Sequence, residues 1–337
     1  MRILVSRTDR LGDVALTLPL CGLLKARLGA TVVFLGRGYT RPVLEASGAV
    51  DEILDWDVAA AAGFAARRDF VRAARADVAL HVFPRAPLAW AALAAGVPRR
   101  VGTTHRWYHW PTCNVREPLE RRASPLHEAQ LDVRLARTLL PAADLALAPD
   151  ALAPYAALTP RAPVPPAVAP LLARDRFALV VHPKSFGSAR EWPPDRWRAL
   201  VDALPPERYR VLVTGSAAEG AAMRAWLDAL PPHAHDLTGR LTLAELLAVL
   251  AAAGGVVAAS TGPLHLAALL GTRTLGLFSP VRPVHAGRWG PIGPRAEVLE
   301  APPGPPAAGG ALDGISAGAV RTRVAAWAAA RRSAVRR

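Results

Sequence analysis

Cysteine and long apolar runs are both scarce in this sequence of 337 residues. The two cysteines, Cys21 and Cys113, stand far apart and form no CxxC or cysteine–histidine pattern, which argues against a disulfide framework or a structural zinc site. The longest apolar stretch, residues 241–260, is interrupted by Glu245 and by Gly254-Gly255, so it does not predict a membrane span. The N-terminus meets charged residues too early for a signal peptide. We therefore expect a soluble, cytoplasmic protein.

Lysine is nearly absent, with only Lys25 and Lys184, whereas arginine is abundant. The formal net charge of +14 and the pI of about 11.2 therefore reflect a general choice of arginine as cation. Nucleic-acid binding is the alternative that this charge suggests, but no aromatic-plus-basic platform or known motif accompanies the arginines. We expect no nucleic-acid partner. Hydrophobic residues make up 52% and charged residues 20%, which excludes a disordered chain.

Two common nucleotide-binding signatures are missing as well. No G-x-G-x-x-G follows the first predicted strand and no G-x-x-x-x-G-K-[ST] occurs, which excludes the usual dinucleotide and P-loop sites. Instead, short apolar runs alternate with helical segments, a pattern typical of parallel α/β sheets. It predicts an N-terminal Rossmann-like domain over 1–150, a proline-rich linker over 151–175, a second Rossmann-like domain over 176–315 and a basic helix over 316–337. Two doubly wound domains of this kind are expected to face a central cleft that takes the ligand.

The first candidate site is Arg10-Leu11-Gly12-Asp13, between the first predicted strand and the first helix. Gly12 permits a tight turn, and the helix terminus stabilises an anion at Asp13. Such a carboxylate can accept a proton from a substrate hydroxyl. The alternative is an ordinary N-cap, which is a common position for aspartate.

Two loops of the second half combine hydroxyl groups, cations and glycine. Residues 182–193 follow a predicted strand and offer Lys184, Ser185, Ser188 and Arg190. Residues 260–265 connect a strand to a helix and offer Ser260, Thr261, Gly262 and His265. Free N–H groups at such a helix start, with a hydroxyl and a histidine, predict a seat for a diphosphate. The alternatives are a solvated loop and a capped helix with a satisfied histidine.

Two further segments carry weaker signals. The composition of residues 99–122 suits a phosphorylated saccharide, with Arg100, Arg106 and Trp107 as candidate contacts. Asp55-Trp56-Asp57 matches a D-x-D metal motif, but it ends a predicted strand and starts a helix, so we interpret it as a helix cap and expect no metal site.

The basic C-terminal helix has one apolar face, formed by Ile315, Ala319, Val320, Val324 and Trp327. Arginines surround this face, which predicts a peripheral contact with the anionic inner surface of the cytoplasmic membrane. The alternative is a helix that packs across both domains and leaves its arginines solvated.

Together these segments resemble glycosyltransferase family 9, the ADP-heptose:lipopolysaccharide heptosyltransferases and their relatives. Residues 11–19 are similar to the family start "x-x-G-D-x-x-x-x-x-P", and residues 182–193 to its "H-P-x-x…A-[KR]-x-W-P". Residues 260–271 are similar to "[DS]-[ST]-G-P-x-H-L-A-A-x-L-G", and residues 239–243 to the stretch before the adenine-contacting helix. The similarity runs through nearly the whole chain in the family's order.

The resemblance implies a GT-B fold and inverting, metal-independent transfer of a sugar, heptose from ADP-heptose, to a lipopolysaccharide-core or related saccharide. It implies Asp13 as general base, Leu241 near the nucleobase and no cofactor beyond the nucleotide sugar. The residues that it places around the diphosphate are Lys184, Ser185, Ser188, Arg190, Thr261, Gly262 and His265. A diphosphate leaving group needs charge stabilisation rather than protonation, so cations and helix N–H groups can replace a general acid and a metal.

Two positions depart from the family pattern. Ser260 stands where heptosyltransferases often have an aspartate that is expected to contact donor hydroxyls, which leaves the identity of the sugar open. Arg190 replaces the usual lysine and keeps its charge. The alternatives are a GT-B enzyme for another nucleotide sugar, such as a UDP-sugar transferase or an epimerase, and a non-catalytic nucleotide-sugar binder.

Overall fold

The structure, a computed structural model, describes residues 1–121, 125–185, 187, 189–302 and 312–335. The chain divides into two compact units, Met1–Thr159 (unit 1) and Pro160–Arg337 (unit 2). Each unit is a parallel sheet with helices, so the predicted α/β class with two doubly wound sheets is confirmed.

The described part of unit 1 forms a six-stranded sheet in the order β3-β2-β1-β4-β5-β6. All of its pairings are parallel, and Val5 of β1 stands between Phe34 and Leu80 of the neighbouring strands. The central strands are continuous apolar runs because both faces of a parallel sheet are covered by helices. The strands are β1 (Arg2–Ser6), β2 (Thr31–Gly36), β3 (Glu52–Asp55), β4 (Val78–His81), β5 (Arg99–Thr103) and β6 (Val115–Glu117).

The helices of unit 1 are α1 (Leu11–Leu28), α2 (Arg41–Glu45), α3 (Trp56–Ala60), α4 (Phe64–Ala73), α5 (Ala86–Ala94), α6 (His109–Thr112), α7 (Glu128–Leu135) and α8 (Pro149–Leu152). A short 3-10 segment, Ala153–Ala156, packs against α1. The approach is so close that a Cβ on Gly22 would lie 1.8 Å from the carbonyl oxygen of Tyr155. Unit 1 therefore continues past residue 150, into the segment predicted as a linker.

Unit 2 contains a second parallel sheet in the order β12-β11-β10-β7-β8-β9, again among the described residues. Its strands are β7 (Phe177–His182), β8 (Tyr209–Val213), β9 (Ala234–Asp236), β10 (Gly255–Ala259), β11 (Thr274–Phe278) and β12 (Ala296–Glu300). Its helices are α9 (Pro194–Asp202), α10 (Ala217–Ala222), α11 (Arg224–Leu227), α12 (Leu243–Ala252), α13 (Gly262–Leu269), α14 (Ala286–Trp289) and α15 (Ala317–Val335).

Helix α15 belongs to the core of unit 2. Val320, Val324 and Trp327 are almost fully buried, and the Trp327 indole donates a hydrogen bond to Glu297 of β12 over 2.7 Å. The apolar face predicted to meet a membrane is thus largely covered by the protein's own sheet and helices, with Ile315 buried too. In the described ranges no helix is long and apolar enough to cross a membrane.

Candidate functional site

The topology of each sheet marks one position for a ligand. From β1 the chain runs outward through β2 and β3 and then returns to place β4 on the other side of β1. Unit 2 repeats this change of direction between β7 and β10. Loops at such a switch point leave the sheet in opposite directions and open a crevice at the carboxyl ends of the strands. Asp13 follows β1, Lys184 follows β7, and Thr261 follows β10.

Asp13 is the third residue of α1, whose N-cap is Arg10 without a side-chain capping bond. The structure therefore does not support the interpretation of Asp13 as a helix cap. Its carboxylate instead accepts a hydrogen bond from the guanidinium group of Arg7. The side chain keeps 15% of its exposure, whereas Arg7 keeps 1%. The Asp13 carboxylate is thus fixed by the buried Arg7 guanidinium group, and part of it remains accessible to solvent.

Arg7 is the centre of a group of charges that we call the Arg7 cluster. Its guanidinium group also donates to Asp9 over 2.9 Å and to the buried carboxylates of Glu128 and Asp132 over 3.2 Å each. Arg121 donates to the same two buried carboxylates. The cluster consists of Arg7, Asp9, Asp13, Arg121, Glu128 and Asp132.

Four carboxylates in this cluster share two guanidinium groups. Burial raises the pKa of Asp132 to about 7, with Glu128 adding to the shift and Arg7 and Arg121 opposing it. Burial likewise raises the pKa of Asp9 to about 6, against the attraction of Arg7. Proton uptake at these groups relieves the excess negative charge. No local sequence pattern indicates this cluster, because Arg7 pairs with two carboxylates that lie more than 120 positions away.

In unit 2, the loop after β7 is closed by Glu191. Its carboxylate pairs with the Lys184 ammonium over 2.7 Å and accepts bonds from the backbone N–H and hydroxyl of Ser185 over 3.0 and 3.1 Å. Burial favours the neutral acid, but the bonds from Lys184 and Ser185 outweigh it and lower the pKa of Glu191. Lys184 is therefore paired with the Glu191 carboxylate in this structure. A bound phosphate would either share the Lys184 ammonium with Glu191 or replace Glu191 as its partner.

The same loop is anchored by Trp192 and leaves Arg190 exposed. The buried Trp192 indole donates to the carbonyl of Ile315 over 2.9 Å and packs edge-on against Trp197 with ring centroids 4.8 Å apart. Arg190 has neither a hydrogen bond nor an ion pair to another described residue. Gly187 has a φ of +69°, in the left-handed region that favours glycine. Ser188 lies outside the described residues.

The loop after β10 begins beside the loop after β7, because Ala258 pairs directly with His182. Thr261 is the N-cap of α13, yet its side chain makes no capping bond. Its hydroxyl oxygen is buried and has no partner among the described residues. The N–H groups of Gly262 and Leu264 lie in the first helical turn, where no intrahelical acceptor exists. A hydroxyl and a helix N-terminus in this arrangement suit an anion.

Ser260, which is half-buried, directly precedes Thr261, and His265 is buried in the next turn of α13. We call the segments 184–191 and 260–265 the donor seat. Helix α12 starts near the same edge of the sheet, and its N-cap Thr242 forms a capping box with Glu245. The half-buried Leu241 precedes this cap. The turn before it requires glycine, because a Cβ on Gly239 would lie 2.9 Å from Ala217 Cα.

The three candidate acceptor contacts differ in their surroundings. Arg106 and Trp107 are exposed, and residue Trp107 keeps 74% of its exposure although its ring lies edge-on to Tyr108. The Arg100 guanidinium group instead donates to the backbone carbonyls of Thr112 and Val97. The Arg106 and Trp107 side chains are therefore accessible to a ligand, whereas the Arg100 guanidinium group is already bonded to the backbone.

The Asp55-Trp56-Asp57 segment is confirmed as a helix cap. The Asp55 carboxylate accepts the N–H of Asp57 over 2.9 Å at the start of α3, and Asp57 pairs with Arg37 over 3.0 Å. In the part of the chain that the structure describes, no three or more His, Cys, Asp or Glu side chains are arranged to hold a metal ion.

Three solved glycosyltransferases have a similar fold, of the GT-B class. Escherichia coli ADP-heptose LPS heptosyltransferase II has a TM-score of 0.75 and 23% identity over 98% of this chain and 100% of that chain. The family 9 glycosyltransferase of Veillonella parvula has a TM-score of 0.78 and 18% identity, with 97% of each chain covered. E. coli heptosyltransferase WaaC, solved with ADP, has a TM-score of 0.71 and 21% identity over 97% of this chain and 100% of that chain. These likenesses define the fold class.

The particular family follows from the sequence. The model of glycosyltransferase family 9 (heptosyltransferase) matches residues 123–307, which is more than half of the chain. The chain belongs to this family.

Curated relatives match over shorter stretches. Lipopolysaccharide heptosyltransferase 1 of Pseudomonas aeruginosa is 39% identical over 102 residues, or 30% of this chain and 28% of the relative. Lipopolysaccharide heptosyltransferase 2 of E. coli is 30% identical over 102 residues, or 29% of each. The matched stretches thus span less than a third of these relatives.

Proposed function

We propose that this protein is an inverting glycosyltransferase that moves a sugar from a nucleoside-diphosphate donor to an anionic saccharide of the lipopolysaccharide core or a related surface glycan. The observation that carries the proposal is the donor seat at the switch point of unit 2. The buried hydroxyl of Thr261, which has no hydrogen-bond partner among the described residues, and the first turn of α13 lie next to a loop that contains Lys184 and Arg190. Fixed dipoles and arginine or lysine charges are the groups that stabilise a departing diphosphate.

Asp13 supplies the other half of the chemistry. As general base it takes the proton of the acceptor hydroxyl while the hydroxyl oxygen attacks the anomeric carbon of the donor. The bond from that carbon to the phosphate oxygen breaks, its electron pair stays on the diphosphate, and the configuration inverts. A single carboxylate suffices because the leaving group needs no proton and the donor seat neutralises its charge. Arg7 holds the Asp13 carboxylate in place.

The donor is proposed to be ADP-heptose, and its adenine ring is proposed to lie near Leu241. Family membership supports this choice, as do the solved relatives, one of which was determined with ADP-2-deoxy-2-fluoro heptose at a TM-score of 0.70. Ser260 favours a second candidate within the same class. A half-buried hydroxyl next to Thr261 offers a shorter contact group than a carboxylate, so a different sugar on the nucleotide is the alternative donor.

Calorimetric titration of ADP and adenosine tests the donor seat. A charge-assisted hydrogen bond is worth about 1.5–3 kcal/mol, so Arg190→Ala and Lys184→Ala should each weaken ADP binding by roughly 10- to 100-fold. Adenosine makes no such contact and should lose little affinity. Exposed Arg198 on α9, outside the seat, provides the control variant Arg198→Ala.

Equal losses for ADP and adenosine would mean that these residues shape the fold rather than bind phosphate. Unchanged ADP binding would remove the donor seat from the mechanism. A product assay with ADP-heptose and a panel of other nucleotide sugars then identifies the donor, and binding without turnover for every donor and acceptor would favour a non-catalytic nucleotide-sugar binder.

A further inference from the structure

A pocket of unit 2 lies away from the donor seat and has a volume of about 450 Å³. Arg176 directly precedes β7 and Arg208 directly precedes β8, so the pocket is at the amino ends of these strands. Lys184 and Thr261 follow the carboxyl ends of β7 and β10. A six-residue strand such as β7 is roughly 20 Å long at about 3.3 Å per residue, which separates the two sites.

The pocket has an excess of positive charge. Its lining includes five arginines and two acids, Asp175 and Glu207, which leaves three positive charges in excess. Both oxygens of Asp175 also accept hydrogen bonds of 2.7 Å from Arg210, a further arginine outside the lining. The charge of Asp175 is therefore already balanced by Arg210 and does not neutralise the arginines of the lining. The arginines of the lining are Arg174, Arg176, Arg208, Arg331 and Arg332.

Arg331 of α15 is half-buried. Its guanidinium carbon lies 5.8 Å from the centre of the Phe177 ring, and a Cβ on Gly254 would lie 3.0 Å from its Nη1 atom. Nη1 is buried without a hydrogen-bond acceptor among the described residues. Burial, together with the nearby charge of Arg174, lowers the pKa of Arg331. The half-buried Arg331 side chain has no hydrogen bond or ion pair to another described residue, so the rest of its guanidinium group can donate to an oxyanion in the pocket.

We infer that this pocket binds a phosphate group, carried by inorganic phosphate, a soluble phosphate ester or the headgroup of an anionic lipid. Phosphate fits because several arginines converge from different elements, the loop before β7, the loop before β8 and helix α15. A tetrahedral anion offers oxygens in all of these directions, and the planar guanidinium fork can bind two of them at once. The inference does not depend on the proposed transfer reaction.

Calorimetric titration of the full chain with inorganic phosphate tests the inference. Arg331→Gln should weaken phosphate binding by about tenfold, and Arg174→Gln combined with Arg331→Gln should weaken it further. Exposed Arg321, on the same helix and outside the pocket, provides the control Arg321→Gln, which should leave the affinity within about twofold. Because Arg331 packs on Phe177, the exposed Arg208→Gln is a second pocket variant that spares the core.

A further variant, Arg190→Gln, separates the pocket from the donor seat and should leave phosphate binding at the pocket unchanged. Phosphate binding that is lost in Arg190→Gln but kept in the pocket variants would overturn the inference, as would equal losses in Arg321→Gln and Arg331→Gln. Co-sedimentation with phosphatidylglycerol and phosphatidylcholine vesicles identifies the source of the phosphate. If the protein binds phosphatidylglycerol vesicles and the double variant does not, the pocket binds the headgroup of an anionic lipid. If the protein binds inorganic phosphate but no vesicles, the pocket binds a soluble phosphate.

Discussion

Replacement of Arg7 by methionine should strongly destabilise unit 1. Methionine fills much of the same space but leaves Glu128 and Asp132, both fully buried, with Arg121 as their remaining charged partner in the Arg7 cluster. Removal of one partner from a buried ion pair costs about 3–5 kcal/mol, because a buried charge loses its compensation. We expect a loss of this size in the free energy of unfolding of Arg7→Met, measured by denaturant titration at pH 8.

The matched control is Arg2→Met in the same unit. Arg2 also donates two hydrogen bonds of 2.8 Å to one carboxylate, that of Glu52, but both side chains are substantially exposed. An exposed pair of this kind is worth about 0–1 kcal/mol. Arg7→Lys keeps the charge but offers a single ammonium group to carboxylates on several sides, so its loss should be intermediate. If Arg7→Met lost no more stability than Arg2→Met, the cluster would not be a charge-balanced buried unit.

Three further predictions concern pH and metal. Burial lowers the pKa of His81 to about 3, with His109 adding to the shift, and both of its ring nitrogens lack partners within the described ranges. The unfolded chain takes up this proton below about pH 6.5, so wild-type stability should fall relative to His81→Phe as the pH drops from 7 to 5. Parallel denaturation curves for the two proteins would contradict this. The pKa of Asp132, raised to about 7, acts in the opposite direction. The folded protein holds that proton between about pH 4 and 7, so wild-type stability should fall relative to Asp132→Asn as the pH rises through this range, and a constant difference would refute it. Sugar transfer should survive chelation by EDTA, because the donor seat offers Lys184 and Arg190 as its cations; activity lost with EDTA and restored by Mg²⁺ would show that the mechanism is wrong.

Much of the fold follows from local patterns. The apolar runs at residues 2–6 and 31–35 predict strands that the structure places at Arg2–Ser6 and Thr31–Gly36. Buried parallel strands and the helices between them are encoded within short windows, so alternation alone predicts the two sheets. The pattern of residues 217–230 predicts one long helix, which the structure divides into Ala217–Ala222 and Arg224–Leu227.

The surroundings of the site could not be predicted in the same way. Asp13 and Thr261 occupy the strand ends that the motifs indicated, but their partners come from distant segments. Glu128 meets Arg7 across 121 positions, and no short window contains both. Likewise, an amphipathic pattern in α15 does not show whether its apolar face meets a membrane or a sheet; Trp327 is buried against the core of unit 2. Periodicity identifies a buried face without naming what covers it.

Transfer and donor binding, measured in parallel for wild type and Asp13→Asn, test the proposed mechanism most directly. The asparagine keeps the size of the side chain and can still accept a hydrogen bond from Arg7, but it cannot take a proton from the acceptor. Loss of a general base typically lowers the rate by about 10²–10⁴-fold. We predict a fall of this size in single-turnover transfer from ADP-heptose, with donor affinity unchanged within a few-fold. Near-wild-type turnover in Asp13→Asn would contradict the assignment of Asp13 as the base.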